Sequence, residues 1–101
     1  MMKTVYKFEM KTIYKYELEI TGEQTLEMPS GAMMLHLGVQ GNTPVLWALV
    51  DPTCTTPSRR TFETFGTGHK IPLGSNRQYI GSYQIQNQPG ARFVGHVFEK
   101  L

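Results

Sequence analysis

This sequence is poor in cysteine, in long apolar runs and in excess charge, and each shortage excludes something. A single cysteine, Cys54, rules out an internal disulfide and with it a disulfide scaffold. A lone thiol suits a reducing compartment. The longest apolar run covers residues 45–50, about a third of the roughly 20 residues a membrane helix needs. Lysine or glutamate interrupts the opening residues every few positions, so they carry no signal-peptide apolar segment. A soluble, cytoplasmic protein with no membrane association is expected. Ten Lys and Arg against eight Asp and Glu leave a formal charge of +2, far below the basic excess of a protein clamped to nucleic-acid phosphates. Nucleic acid is therefore not an expected partner.

Helical periodicity is missing too. No stretch of ten residues combines helical spacing with freedom from Gly, Pro or β-branched clusters, whereas apolar residues recur at spacing two. At 101 residues and 40% hydrophobic, the chain suffices for one core.

Alternation is what the sequence does have. Tyr14, Tyr16, Leu18 and Ile20 share one face of an extended segment, with Lys15, Glu17 and Glu19 opposite. Met33, Leu35, Leu37 and Val39 form the next apolar face, with His36 opposite. Residues 45–50 are apolar on both faces and predict the central, most buried strand. Residues 61–65, the alternating set Tyr79, Gly81, Tyr83 and Ile85, and residues 93–98 complete the strands. Turn clusters at Pro29-Ser30-Gly31, Gly41-Asn42-Thr43-Pro44, Asp51-Pro52 and Gln86-Asn87-Gln88-Pro89-Gly90 separate them, with a long loop over residues 66–76. The reading is all-β, a small antiparallel sandwich or partly closed barrel of about seven strands. Residues 57–61 and 71–76 leave room for a short helical turn.

Residues 2–9 and 10–17 are near-identical octapeptides at an even offset, so both copies present the same side chains to the same face. One unbroken strand from Lys3 to Ile20 would run roughly 60 Å, against a radius of gyration of about 13 Å for a compact domain of this length. Residues 1–9 are thus expected as a duplicated N-terminal strand or tail, and residues 10–101 as a single all-β domain. A strand that doubles back or adds to a neighbour's sheet predicts a homo-oligomer. Tyr6, Phe8, Tyr14 and Tyr16 form a stripe with Lys7 and Lys15 on the opposite face. That separation fits core or interface packing better than a nucleic-acid stacking platform.

If consecutive strands alternate in direction, the loops at residues 29–31, 51–58 and 86–91 share one end of the sheet. Those at 41–44 and 66–76 then share the other. Arg59, Arg60 and Arg92 fall together at the first end, among Ser30, Thr53, Thr55, Thr56, Ser58, Asn87 and Gln88. Guanidiniums among hydroxyls and amides hold phosphate or carboxylate through bidentate hydrogen bonds. The candidate ligand-binding residues are therefore Arg59, Arg60, Arg92, Thr55 and Ser58. The plain alternative is solvated charge on polar loops. His69, Lys70 and Arg77 make a weaker anion site at the second end.

Catalysis finds no support. Gly66-Thr67-Gly68-His69-Lys70 lacks phosphate-loop spacing. His36, His69 and His96 lack zinc-ligand spacing, so no metal and no cofactor is expected. His96 alternates with Val94 and Phe98 and reads as a hydrogen-bonded, partly buried ring. Cys54 and His69 fall at opposite ends, which argues against a thiol–imidazole pair within one subunit. No nucleophile-elbow signature is present. The protein is not expected to be an enzyme; a small hydrolase using Cys54 or a histidine is the weakest reading.

Several segments together resemble a known family: Met10-Lys11-Thr12-Ile13-Tyr14-Lys15-Tyr16, Glu27-Met28-Pro29-Ser30-Gly31-Ala32, Leu46-Trp47-Ala48-Leu49-Val50-Asp51-Pro52, Gly66-Thr67-Gly68-His69, Tyr79-Ile80-Gly81-Ser82-Tyr83 and His96-Val97-Phe98-Glu99. From about Met10 to Glu99 the chain resembles a family of short uncharacterised phage and bacterial proteins, a domain of unknown function. The resemblance brings no activity and no catalytic residues. It implies a phage setting in a host-cell cytoplasm, where small non-enzymatic proteins bind host defence factors or sequester nucleotide signals. The resulting expectation is a non-catalytic, phage-type accessory binding protein. It would take an anionic small molecule such as a nucleotide signal, or the acidic surface of a host protein. The alternative is a structural or protein-interaction module that oligomerises through its N-terminal strand.

Overall fold

The computed structural model of the protein describes residues 10–101. The expectations attached to the first octapeptide, an extra N-terminal strand and strand exchange through it, lie outside the described residues. The strands are β1 (Thr12–Glu17), β2 (Glu23–Pro29), β3 (Met33–Gln40), β4 (Thr43–Val50), β5 (Pro57–Gly66), β6 (Arg77–Gln88) and β7 (Ala91–Lys100). They build a three-stranded sheet in the order β1-β4-β3 and a four-stranded sheet in the order β2-β5-β7-β6. Every pairing is antiparallel. Among the described residues no strand pairing joins the sheets, so the fold is a sandwich and not a closed barrel. The described residues contain no helix; residues 57–61 belong to β5 and residues 71–76 form a loop.

The run at residues 45–50 lies at the centre of its sheet, paired on both sides. Its inward residues Leu46, Ala48 and Val50 pack with Leu37, Met28, Phe62, Tyr83, Ile85 and Val97 in one buried cluster. Apolar area removed from water stabilises such a core by about 25 cal/mol per Å².

The face expected on β3 is corrected. The register shifts between Met34 and His36, and one extra residue in a strand moves the following side chains to the other face. Met34 and Leu37 consequently pack on the core, while Met33 and Leu35 are exposed; Val39 keeps the face of Leu37, opposite Pro44, and is partly exposed near the strand end. A similar shift between Tyr79 and Gly81 leaves Tyr79 outside while Tyr83 and Ile85 go in.

Strict alternation of strand direction also fails, at one place. β5 and β6 both pair with β7 and flank it, so they run the same way. The loop over residues 67–76 carries the chain back along the sheet instead of turning it around. From that point the order of ends is inverted. The first end holds residues 29–32 and 51–56, tied by Ser30 N donating to Thr56 O at 3.0 Å. The second end holds the turn at Gly41 and Asn42, residues 66–69 and the β6–β7 turn. Asn42 bridges to the backbone of Gln86 there, donating through Nδ2 to its carbonyl and accepting from its N–H.

Candidate functional site

The grouping of Arg59, Arg60 and Arg92 is not formed. Thr61 stands opposite Lys100 and Gly66 opposite Gly95, so Arg92 lies beyond the far end of β5. Eight residues separate Lys100 from Arg92 along β7, roughly 27 Å at about 3.4 Å per residue. Arg59, Arg60, Thr55 and Ser58 do share the first end, but successive residues of a strand face opposite ways. Arg60 lies on the same face as Phe62, towards the core, and Arg59 on the outer face opposite Glu27.

Arg60 is already engaged. Its Nε and Nη2 donate to the two carboxylate oxygens of Glu99 at 2.6 and 2.7 Å, and its Nη1 donates to the carbonyl of Ala32. Hydrogen bonding to Glu99 holds the guanidinium above its ordinary pKa, against the opposing effect of burial. The first-end cleft, about 400 Å³, is lined by Tyr14, Tyr16, Glu27, Cys54 and Thr55 among others. Its formal charge comes from Glu27. Cys54 donates weakly to Thr56 O at 3.5 Å, a strand's length from His69. Among the described residues no group of His, Cys, Asp and Glu is placed to hold a metal ion, and none forms a helix long and apolar enough to cross a membrane.

The expected second-end site is rearranged. Arg77 donates to Glu63 at 2.7 Å and to the carbonyl of Pro72 at 2.7 Å, and stacks over the Phe65 ring. Arg92 is the arginine that joins His69. β7 continues past the last β5 pairing, Gly66 with Gly95, so this overhang pairs with β6 alone. Two clefts fill the notch. The inner one, about 340 Å³, is lined by Ile20, Thr21, Gly22, Thr64, Gly66, His69 and Phe93. The outer one, about 230 Å³, is lined by Gly66, Thr67, His69, Arg92, Phe93 and Val94. They share Gly66, His69 and Phe93, so the imidazole stands between them.

Gly66 lines both clefts. Gly66 and Gly95 face each other across β5 and β7, and both lack the side chain that would fill the space above them. A methyl group on Gly66 would lie 2.8 Å from Cε1 of His69, and one on Gly95 2.6 Å from Cζ of Tyr83. The His69 ring is held by Gly66 N–H donating to Nδ1 at 3.1 Å. Nδ1 therefore accepts, and the neutral ring carries its proton on Nε2. Tyr83 is 4% exposed, and its hydroxyl has no partner in hydrogen-bond geometry. Burial raises the phenol pKa, with the nearby Thr64 hydroxyl acting in the other direction.

His96 is the hydrogen-bonded, partly buried ring its alternation predicts, and it belongs to a hydrogen-bonded chain on the outer face of the four-stranded sheet. Tyr79 Oη lies 2.6 Å from Ser82 Oγ, Ser82 Oγ 2.7 Å from His96 Nδ1, and His96 Nε2 2.8 Å from Thr67 Oγ1. A neutral imidazole has one donor and one acceptor, so one hydroxyl donates to His96 and the other accepts from it. The Ser82–His96 pairing needed the register across β6 and β7, including the shift at Ile80, which one strand's alternation does not contain.

These features define an all-β, two-sheet antiparallel sandwich with an arginine- and histidine-lined notch at one end. The chain belongs to the family described as a domain of unknown function (DUF7352), which matches residues 10–101. No curated protein and no solved structure matches it.

Proposed function

We propose that this is a non-catalytic binding domain whose ligand carries an anion seated at Arg92, in the second-end notch. The supporting observation is the state of the arginines. Arg60 and Arg77 are neutralised by Glu99 and Glu63, whereas Arg92 lines a cleft with no carboxylate within ion-pair distance among the described residues. An uncompensated guanidinium beside a concave surface suits bidentate recognition of phosphate or carboxylate. A phage accessory role, sequestering a nucleotide signal or engaging an acidic partner, fits this reading. The test is an amide-resolved NMR titration with inorganic phosphate. Saturable shifts centred on Arg92, Thr67 and Val94 are expected, and Arg92→Ala should abolish them. Equal affinity in that variant would remove the proposed site.

The second reading is an interaction module, favoured by the outer face of the three-stranded sheet. Ile13, Leu49 and Met33 form one cross-strand row, with Ile13 and Met33 56% and 58% exposed. Exposed apolar patches mark contact surfaces, and a self-complementary row suits a two-fold pairing of like chains. Light scattering of Ile13→Glu against the parent chain tests it; identical masses would count against this face.

A further inference from the structure

We infer that the His69 imidazole occupies the seat of a planar heteroaromatic ring, so that the notch takes a ring and an anion joined in one molecule, the chemistry of a nucleoside phosphate. This rests on the anion site at Arg92 and adds the other half of the ligand.

The seat is the bare backbone of Gly66. Its present occupant is a flat, nitrogen-bearing ring that covers the glycine and accepts the Gly66 N–H through Nδ1. A purine or pyrimidine ring nitrogen offers the same kind of acceptor. His69 itself is exposed and sits in a loop exposed throughout residues 67–76, so the ring can leave at little packing cost. Its backbone tie, His69 N to Gly66 O at 3.0 Å, does not involve the imidazole.

Behind the seat, on the core side, the Tyr83 hydroxyl is buried with no partner in hydrogen-bond geometry. The Tyr83 ring crosses Gly95, its hydroxyl 2.8 Å from where a Cβ on that glycine would stand. Because β7 separates β6 from β5, the hydroxyl is directed towards the β5 side, where Gly66 and Thr64 line the inner cleft. A buried hydroxyl without a partner costs stability, and the nearest polar side chain to it is Thr64, which lines the inner cleft. Arg92 stands three residues from Gly95 along β7, roughly 10 Å, an odd separation that starts its side chain on the opposite face; ring and phosphate would meet round the end of β5, where Gly66, His69 and Arg92 line one cleft.

The experiment uses the full chain, with inorganic phosphate, adenosine 5′-monophosphate and imidazole as separate probes. His69→Ala opens the seat. Added imidazole should bind this variant and return the Gly66 amide resonance towards its parent position. Adenosine 5′-monophosphate should bind the variant about tenfold more tightly than the parent, because the competing ring is gone. Phosphate affinity should be the same in both. Gly66→Ala, which fills the seat with a methyl group, should reduce adenosine 5′-monophosphate to the affinity of phosphate; it also serves if His69→Ala does not fold. The inference is overturned if imidazole leaves the Gly66 amide unmoved, or if adenosine 5′-monophosphate binds no better than phosphate with the seat open. Either result leaves phosphate binding at Arg92 standing. Loss of the anion site would instead show as phosphate binding indifferent to Arg92→Ala, with imidazole at Gly66 still readable.

Discussion

Arg60 and Glu99 form a bidentate ion pair on the inner face of the sandwich, with Nε–Oε2 at 2.6 Å and Nη2–Oε1 at 2.7 Å. It closes the first end by linking β5, β7 and the carbonyl of Ala32 ahead of β3. Removing one member strands the other: the Glu99 side chain is 7% exposed and that of Arg60 21%. Arg60→Ala or Glu99→Gln should therefore cost about 3 kcal/mol in chemical denaturation. Arg59→Ala, on the outer face, should stay within about 0.5 kcal/mol. Equal effects of the two arginine substitutions would show that the pair does not hold the sheets together.

That contrast shows where the sequence was legible. Spacing-two alternation and turn clusters identified the strands because those signals are local, and the apolar run at residues 45–50 gave the centre of a sheet. Insertion of β7 between β5 and β6 is not local. It depends on a loop, residues 67–76, long enough to run back along the sheet, and nothing in its composition tells reversal from return. That one feature moved Arg92 to the far end. The shifts at Leu35 and Ile80 are likewise set by cross-strand packing, so the periodicity of β3 alone pointed Met33 and Leu35 the wrong way. His96 was readable as a bonded ring from its alternation with Val94 and Phe98; its partners Ser82 and Thr67 were not.

Tyr83→Phe is expected to stabilise the protein by about 1 kcal/mol, since it removes a buried hydroxyl that lacks a partner and keeps the ring on Gly95. The same variant carries a pH signature. The folded state raises the phenol pKa above 10.0, so it disfavours the phenolate, and the unfolded chain loses its proton first. Stability on this account is complete below pH 10 and declines as pH rises through the folded pKa. Denaturation midpoints between pH 8 and about pH 11 should fall less steeply in Tyr83→Phe than in the parent. Parallel curves would mean that Tyr83 is not the group responsible.

Gly66 and Gly95 make a paired test, since they are opposite each other and both are covered by rings. Neither has a positive φ, so alanine meets its difficulty in the ring and not in the backbone. Over Gly95 the obstacle is Cζ of a buried tyrosine at 2.6 Å, which cannot move without opening the core. Gly95→Ala should cost about 3 kcal/mol through overpacking. Over Gly66 the obstacle is an exposed histidine, so Gly66→Ala should cost under about 1 kcal/mol while displacing the His69 ring. Similar thermal midpoints for the two variants would contradict the difference in ring mobility.

Asn42 tests what positions Arg92. It accepts φ of 64°, next to Gly41 at 54°, the pair of positive values a two-residue hairpin turn requires. Its side chain also makes two hydrogen bonds to the Gln86 backbone, at 2.6 and 2.8 Å, and Gln86 pairs directly with Arg92. Asn42→Gly keeps the turn and removes the bridge, at a cost of about 1 kcal/mol for exposed hydrogen bonds. Asn42→Ala loses the bridge and adds left-handed backbone strain, about 1 kcal/mol more. If the bridge aligns the overhang, Asn42→Gly should speed hydrogen exchange at Gln86 and weaken phosphate binding at Arg92, though neither residue is altered. Faster exchange with unchanged phosphate affinity would mean that β7 alone orients Arg92 and that the bridge serves only to fasten the two sheets.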